Sequence, residues 1–209
     1  QRTGQPFQCV RAPQELAPEA LAAAGVRVIF FPHWSHKIPA SLYEAFECVV
    51  FHMTDLPYGR GGSPLQNLIV RGHEDTMLSA LRCVEALDAG PVYMKRRLNL
   101  NGSAEEIFLR ADALIESMIF EWVNDQPEPK PQEGEPTVFR RRKPADSDWS
   151  GVGELEAVFD HIRMLDAPGY PPAFVDVGPF RLEFTRASRR VDAVVAEVRI
   201  IRRDAGEND

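Results

Sequence analysis

The 209-residue sequence predicts an α/β protein: a parallel-sheet domain followed by a small β-rich C-terminal subdomain. Three observations carry that reading. Short, almost continuously apolar runs alternate with helix-like segments, as strands buried on both faces of a parallel sheet do. A glycine-rich loop follows the second of those runs, where open α/β sheets gather their ligands. Beyond the clearest helix, a proline-rich stretch gives way to short strand-like segments.

In chain order, Phe7–Val10 is strand-like, and 18–24 is an Ala-rich helix opened by Pro18 and closed by Gly25. The run 26–31 is the first buried strand, 40–46 a short helix, and 48–51 the next buried strand. Strand, helix and strand at this spacing form a βαβ unit. Residues 52–64, HMTDLPYGRGGSP, hold too many glycines and prolines for regular structure and make a shaped loop, with Pro64 opening a helix to Val70. Segments 77–84 and 92–98 are two strands joined around Leu87-Asp88-Ala89-Gly90-Pro91. Ser103 and Glu106 form a capping box that starts the strongest helix. Its stripe of Ile107, Ala111, Leu114, Met118 and Trp122 is core packing. Domain bounds of 1–125 and 137–209, joined by a Pro-rich linker at 126–136, follow. The last part holds a helix near 154–165 and strands near 173–177, 181–185 and 193–201.

Composition excludes several classes of function. A formal charge of −7 opposes any broad nucleic-acid or anionic-membrane surface. No run reaches the ~18–20 apolar residues of a membrane span. No secretory signal is visible, and Cys9, Cys48 and Cys83 are widely spaced, so reduced thiols and a cytoplasmic setting are expected. The chain opens at Gln1 rather than Met, so part of the natural N-terminus is expected to be missing. No metal is expected: His73 beside Glu74 and Asp75 makes a poor ligand set, because neighbouring loop positions rarely converge on one ion. His161 is expected to be structural.

Three features fall at predicted strand ends or in the turn between strands: Pro32-His33-Trp34-Ser35-His36, His52 with its loop, and Asp88. A histidine facing a carboxylate can act as a general base, or form a structural hydrogen bond. Arg140-Arg141-Arg142-Lys143 is the one concentrated basic patch; it is either a solvated surface or a phosphate site.

The stretch HMTDLPYGRGGSPL resembles the signature of folate-dependent formyltransferases, with His52, Thr54, Leu56, Pro57, Arg60, Gly61 and Pro64 on its positions. ALDAGPVY resembles that family's aspartate block, placing Asp88 on the catalytic aspartate, and FFPHWSHKIP stands where its folate loop lies. FRRRKP with Asp146 and Trp149, and YPPAF at 170–174, are similar to segments of sugar formyltransferases. The resemblance implies a Rossmann-like catalytic domain and a formyl group moved from 10-formyltetrahydrofolate to a primary amine, with an amino sugar on a nucleotide as the expected acceptor. It implies His52 and Asp88 as catalytic residues, and Phe31, His33, Trp34, Ser35 and Leu87 toward the folate. Thr54, Arg60, Gly61, Gly62, Arg141 and Arg142 fall toward the acceptor, and a homodimer is implied. Formyltetrahydrofolate hydrolysis and a catalytically silent binding protein are the alternatives. One departure stands out. The family's asparagine, two positions before the histidine, is Val50 here. Losing such a donor costs about 2.7–4 kcal/mol of transition-state stabilisation. His33, Ser35, Thr54 and Asn67 are the candidate replacements.

Overall fold

A computed structural model describes Gly4 and residues 6–203; residues 1–3, 5 and 204–209 lie outside the described residues. The elements are α1 (Pro18–Ala23), β1 (Val28–Phe31), α2 (Ala40–Tyr43), β2 (Glu47–His52), β3 (Arg60–Gly61), α3 (Pro64–Val70), β4 (Asp75–Arg82) and β5 (Val92–Asn99). They are followed by α4 (Ala104–Asp125), β6 (Val138–Phe139), α5 (Leu155–Arg163), β7 (Ala173–Val177), β8 (Phe180–Arg189) and β9 (Val194–Arg202). The capping box is present: Glu106 accepts from the Ser103 N–H at 2.8 Å while the Ser103 hydroxyl accepts from Glu106 N–H at 3.3 Å. The expected strand at Phe7–Val10 is not formed; those residues are irregular and mostly exposed, with no buried face to pay for ordering them. Among the described residues no helix is long and apolar enough to cross a membrane.

Packing divides the chain into two compact units: Gln1–Gly61 with Thr76–Leu98 and Arg110–Phe139, and Gly62–Asp75 with Asn99–Leu109 and Arg140–Asp209.

The first unit holds a sheet in the order β1-β2-β4-β5. β1 and β2 are parallel, Phe31 against Val50, so the loops after both strands leave from the same edge. β2 and β4 are antiparallel, which makes the sheet mixed, with His52 opposite Ser79 and Val49 opposite Arg82. Leu21, Phe31, Leu42, Phe46 and Cys48 form one buried cluster, against which Trp34, Val50 and Cys83 pack. Burial pushes the Cys48 thiol up to about 12, with nearby Cys83 adding to it. The Pro-rich stretch does more than span a distance. Lys130 exchanges backbone hydrogen bonds with Val92 at 2.7 and 2.9 Å, and β6 pairs in parallel with β3.

In the second unit, α3 buries Leu65, Leu68 and Ile69 and packs on α5. Gln66 donates to Met164 O at 3.1 Å. β7, β8 and β9 form an antiparallel sheet against which α5 lies. Trp149 meets Phe184 edge-on at 5.1 Å. This sheet matches the β-rich C-terminal segment expected from the sequence.

Candidate active site

His52 is the last residue of β2 and is 7% exposed. Its Nε2 lies 2.8 Å from Gly59 O. A carbonyl can only accept, so Nε2 carries a proton and Nδ1 is the ring nitrogen left open. Nδ1 stands 3.6 Å from Asp88 Oδ2, with both side chains at most 13% exposed. The same Oδ2 accepts the Gly61 N–H at 2.9 Å. Imidazole tautomer and carboxylate orientation are therefore both set by the backbone of the glycine-rich loop.

The loop is itself held from behind. Gly59 N–H donates to Thr137 Oγ1 at 2.7 Å, and Arg60 N–H to Thr137 O at 3.0 Å. Thr54 is fully buried; its hydroxyl donates to Gly59 O at 3.3 Å and its carbonyl accepts from Ser79 Oγ at 2.7 Å. At Gly59 (φ +74°) a Cβ would stand 2.6 Å from the Phe139 ring, so glycine is required both by conformation and by space.

Asp88 reaches His52 by a less direct path than a turn beyond the strand ends. β4 is antiparallel to β2 and ends beside its start, where Cys83 N–H donates to Cys48 O at 2.7 Å. The loop 83–91 must double back along β2, roughly 13 Å for four residues of strand, to bring Asp88 to the histidine. Asp88 takes a left-handed backbone (φ +53°) on the way. Gln132 meets this loop: its Nε2 donates to Asp88 O and Gly90 O, each at 2.8 Å, while its Oε1 accepts from Arg60 Nε at 3.1 Å and Nη2 at 2.8 Å.

The loop after β1 leaves the sheet at the same edge as His52. Phe31 is 3% exposed and backs Trp34 edge-on at 5.7 Å, so it supports an aromatic wall rather than lining one. Trp34 in turn meets His36 at 5.4 Å, and its indole N–H is buried without a hydrogen-bond partner. Leu87, beside Asp88, is 71% exposed, an apolar side chain left in solvent. His33 is engaged with Asp112 at 2.6 Å, and Ser35 is exposed.

The remaining residues named from the sequence belong to the second unit. Gly62 packs so tightly that a Cβ would stand 2.7 Å from Arg141 Cα. Arg142 is half-buried and donates to Asp146 O; burial lowers its proton affinity first, with Arg140 adding to the effect. Arg140 pairs with Asp146 at 3.1 Å yet stays exposed, as does Arg141 beside it. The Asp146 carboxyl is held below its ordinary range, first by the Lys143 N–H, then by Arg140 and Arg142 against the opposing effect of burial. Asn67 is committed too, donating to Gly62, Ser63 and Arg140 carbonyls at 3.0–3.1 Å.

Val50 stands two positions before His52 and so on the same face of β2, packed against the apolar cluster. Of the four candidate replacements, His33, Thr54 and Asn67 already have partners. Among the described residues no metal-binding group of three or more ligands exists, His73 included. Gln132 and Thr137 were missed from the sequence. Gln132 lies in the proline-rich stretch 126–136, which reads as spacer, and Thr137 directly follows it.

Residues 144–201 match the family model for the methionyl-tRNA formyltransferase C-terminal domain. A methionyl-tRNA formyltransferase of Sorangium cellulosum is 28% identical, over 80% of this chain and 56% of its own length. The chain spans about half the length of the curated relatives it matches. A solved structure of methionyl-tRNA formyltransferase from Clostridium thermocellum is 49% identical, with a TM-score of 0.89, covering 92% of this chain and 86% of that one. HypX from Aquifex aeolicus, solved with tetrahydrofolic acid, is 19% identical with a TM-score of 0.66, over 83% of this chain and 31% of its own, a likeness of fold alone.

Proposed function

Since the chain belongs to the folate-dependent formyltransferase family that includes the methionyl-tRNA formyltransferases, we propose that it moves a formyl group from 10-formyltetrahydrofolate to a primary amine, using His52 and Asp88. The observation that carries this is the His52 ring: Nε2 is tied to Gly59 O at 2.8 Å, and Nδ1 faces Asp88 at 3.6 Å. A bound folate would supply an activated formyl group. His33, Trp34, Ser35 and Leu87 would hold it, with Phe31 behind them.

As the acceptor amine loses its proton, Nδ1 of His52 is the ring atom open to receive it. Asp88 then steadies the resulting imidazolium, and Gly61 N–H keeps the carboxylate turned toward the ring. The tautomer is set by Gly59 O, so the role of Asp88 is electrostatic. Thr54, being fully buried, supports the Gly59 carbonyl, and Arg60 and Gly61 form the acceptor-side wall.

For the acceptor we favour an amine on a nucleotide-linked sugar. In support, arginines of the C-terminal sheet are already engaged: Arg181 and Arg203 with Asp176, Arg186 with Glu197, Arg199 with Glu183, and Arg189 with Glu156. Paired guanidiniums and a charge of −7 offer little to a polyanion. The second reading, methionyl-tRNA as acceptor, rests on the family model and on the Clostridium relative.

The test is tetrahydrofolate release from 10-formyltetrahydrofolate, with nucleotide-linked amino sugars, with methionyl-tRNA, and with neither. Release that needs an amino sugar supports the first reading; release only with methionyl-tRNA replaces it by the second. Release without any acceptor makes the protein a hydrolase, and none at all would sink the catalytic reading.

A further inference from the structure

We propose that Gln132 is a positioning residue for catalysis, fixing the distance between Gly61 and Asp88 by holding both of their strands of chain through one side-chain amide; the role in catalysis rests on the function proposed above.

The amide is saturated. Both Nε2 hydrogens are donated, to Asp88 O and Gly90 O at 2.8 Å, and both Oε1 lone pairs accept from the Arg60 guanidinium at 2.8 and 3.1 Å. Arg60 adjoins Gly61, whose N–H donates to Asp88 Oδ2 at 2.9 Å. One amide therefore anchors both ends of the hydrogen bond that orients the carboxylate toward His52.

Such a brace is needed here. Loop 83–91 leaves β4 beside Cys48 and doubles back along the sheet, so no strand pairing holds its tip. Asp88 adopts φ +53°, a left-handed conformation that aspartate tolerates better than most residues but that still has a free-energy cost outside glycine. Gln132 is itself fixed, because Lys130, two residues earlier, is paired with Val92 in both directions. Only a side-chain amide can donate twice to carbonyls and accept twice from a guanidinium. Glutamate keeps the length and the Arg60 contact but turns an anion on two carbonyl oxygens. Alanine removes both functions.

The experiment compares wild type, Q132E, Q132A and E133A by steady-state kinetics, melting temperature and hydrogen–deuterium exchange. Glu133 is exposed in the same segment and serves as the control. The expected result is a fall in kcat of about 10²-fold in Q132E and Q132A, with KM for the folate within about threefold, as for a misplaced reacting group. Amides of 84–91 should exchange faster in both variants, and E133A should match wild type throughout. Wild-type-like kcat in both variants, or a fall in kcat with unchanged exchange at 84–91, overturns the proposal. If Q132A does not fold, Q132E carries the same readouts at conserved volume. If wild type turns over no folate with any amine, the functional reading has failed. The brace is then judged by exchange alone: faster exchange at 84–91 upholds it, and unchanged exchange removes it.

Discussion

Replacing Asp88 by asparagine removes a charge and little else. The asparagine side-chain oxygen can still accept the Gly61 N–H now given to Oδ2 at 2.9 Å, so the loop keeps its anchor. What disappears is an anion 3.6 Å from His52 Nδ1, in a pair whose side chains are 9% and 13% exposed. Two unit charges at that distance attract by about 4.6 kcal/mol at an effective dielectric of about 20. The Gly61 N–H already draws off part of the carboxylate's charge, and halving the attraction leaves about 2.3 kcal/mol. At ~1.4 kcal/mol per decade, D88N should lose between about 50-fold and about 2,000-fold in kcat.

The assay is tetrahydrofolate release under saturating folate and acceptor, with melting temperature measured alongside. D88A, which loses the Gly61 anchor as well, should fall further than D88N and show a raised exchange rate in the loop. A D88N enzyme within threefold of wild type, while His52→Gln is inactive, would refute the electrostatic role argued for the carboxylate. Asp88 would then serve only as a latch for Gly61.

Four further outcomes are expected. His52→Gln should keep a donor for Gly59 O and lose the basic Nδ1, giving a folded protein with kcat lower by about 10²–10⁴-fold, read in the same assay. V50N should cost about 1–2 kcal/mol in urea unfolding, since its amide enters the apolar cluster around Phe31 and Leu42, and should not raise turnover. Gly90→Ala should cost about 2–3 kcal/mol, because the added Cβ would lie 1.8 Å from Arg82 O; chemical denaturation with unchanged stability would contradict that contact. His161 sits with its Nε2 3.2 Å from Asp146 O, its proton affinity lowered first by burial and then by Arg142. Since the folded form resists protonation, stability is full above about pH 6.5 and should fall as pH drops below it, a slope that H161Q should flatten in thermal melts.

The fold was legible wherever local chemistry acted alone. Pro18, Pro64 and the Ser103–Glu106 box announced helix starts that the structure keeps. The apolar runs at β1 and β2 announced strands, though Val28, Ile29 and Phe30 of β1 are only half-buried. Pairing was less legible. β4 reads the same in either direction, because alternation and propensity carry no sign. Its antiparallel register with β2 is decided by where the connection through α3 lets the strand re-enter. Phe7–Val10 failed for the converse reason: strand propensity is too weak to hold an extended segment with no partner.

The site divides along the same line. His52, Asp88 and the glycines could be singled out because the proposed chemistry needs particular side chains at particular spacings, which a motif records. Gln132 and Thr137 could not, because what they supply is a hydrogen bond to someone else's backbone, and any backbone offers the same two groups. The proline-rich stretch around them reads as spacer since proline donates nothing, yet that property makes it useful here. A segment in which four of eleven residues are prolines without an N–H, tied at Lys130 and again at β6, can present one amide and one hydroxyl to the loops around His52 and Asp88. Its stiffness then becomes the reason the loop can be braced from a segment carrying no catalytic group.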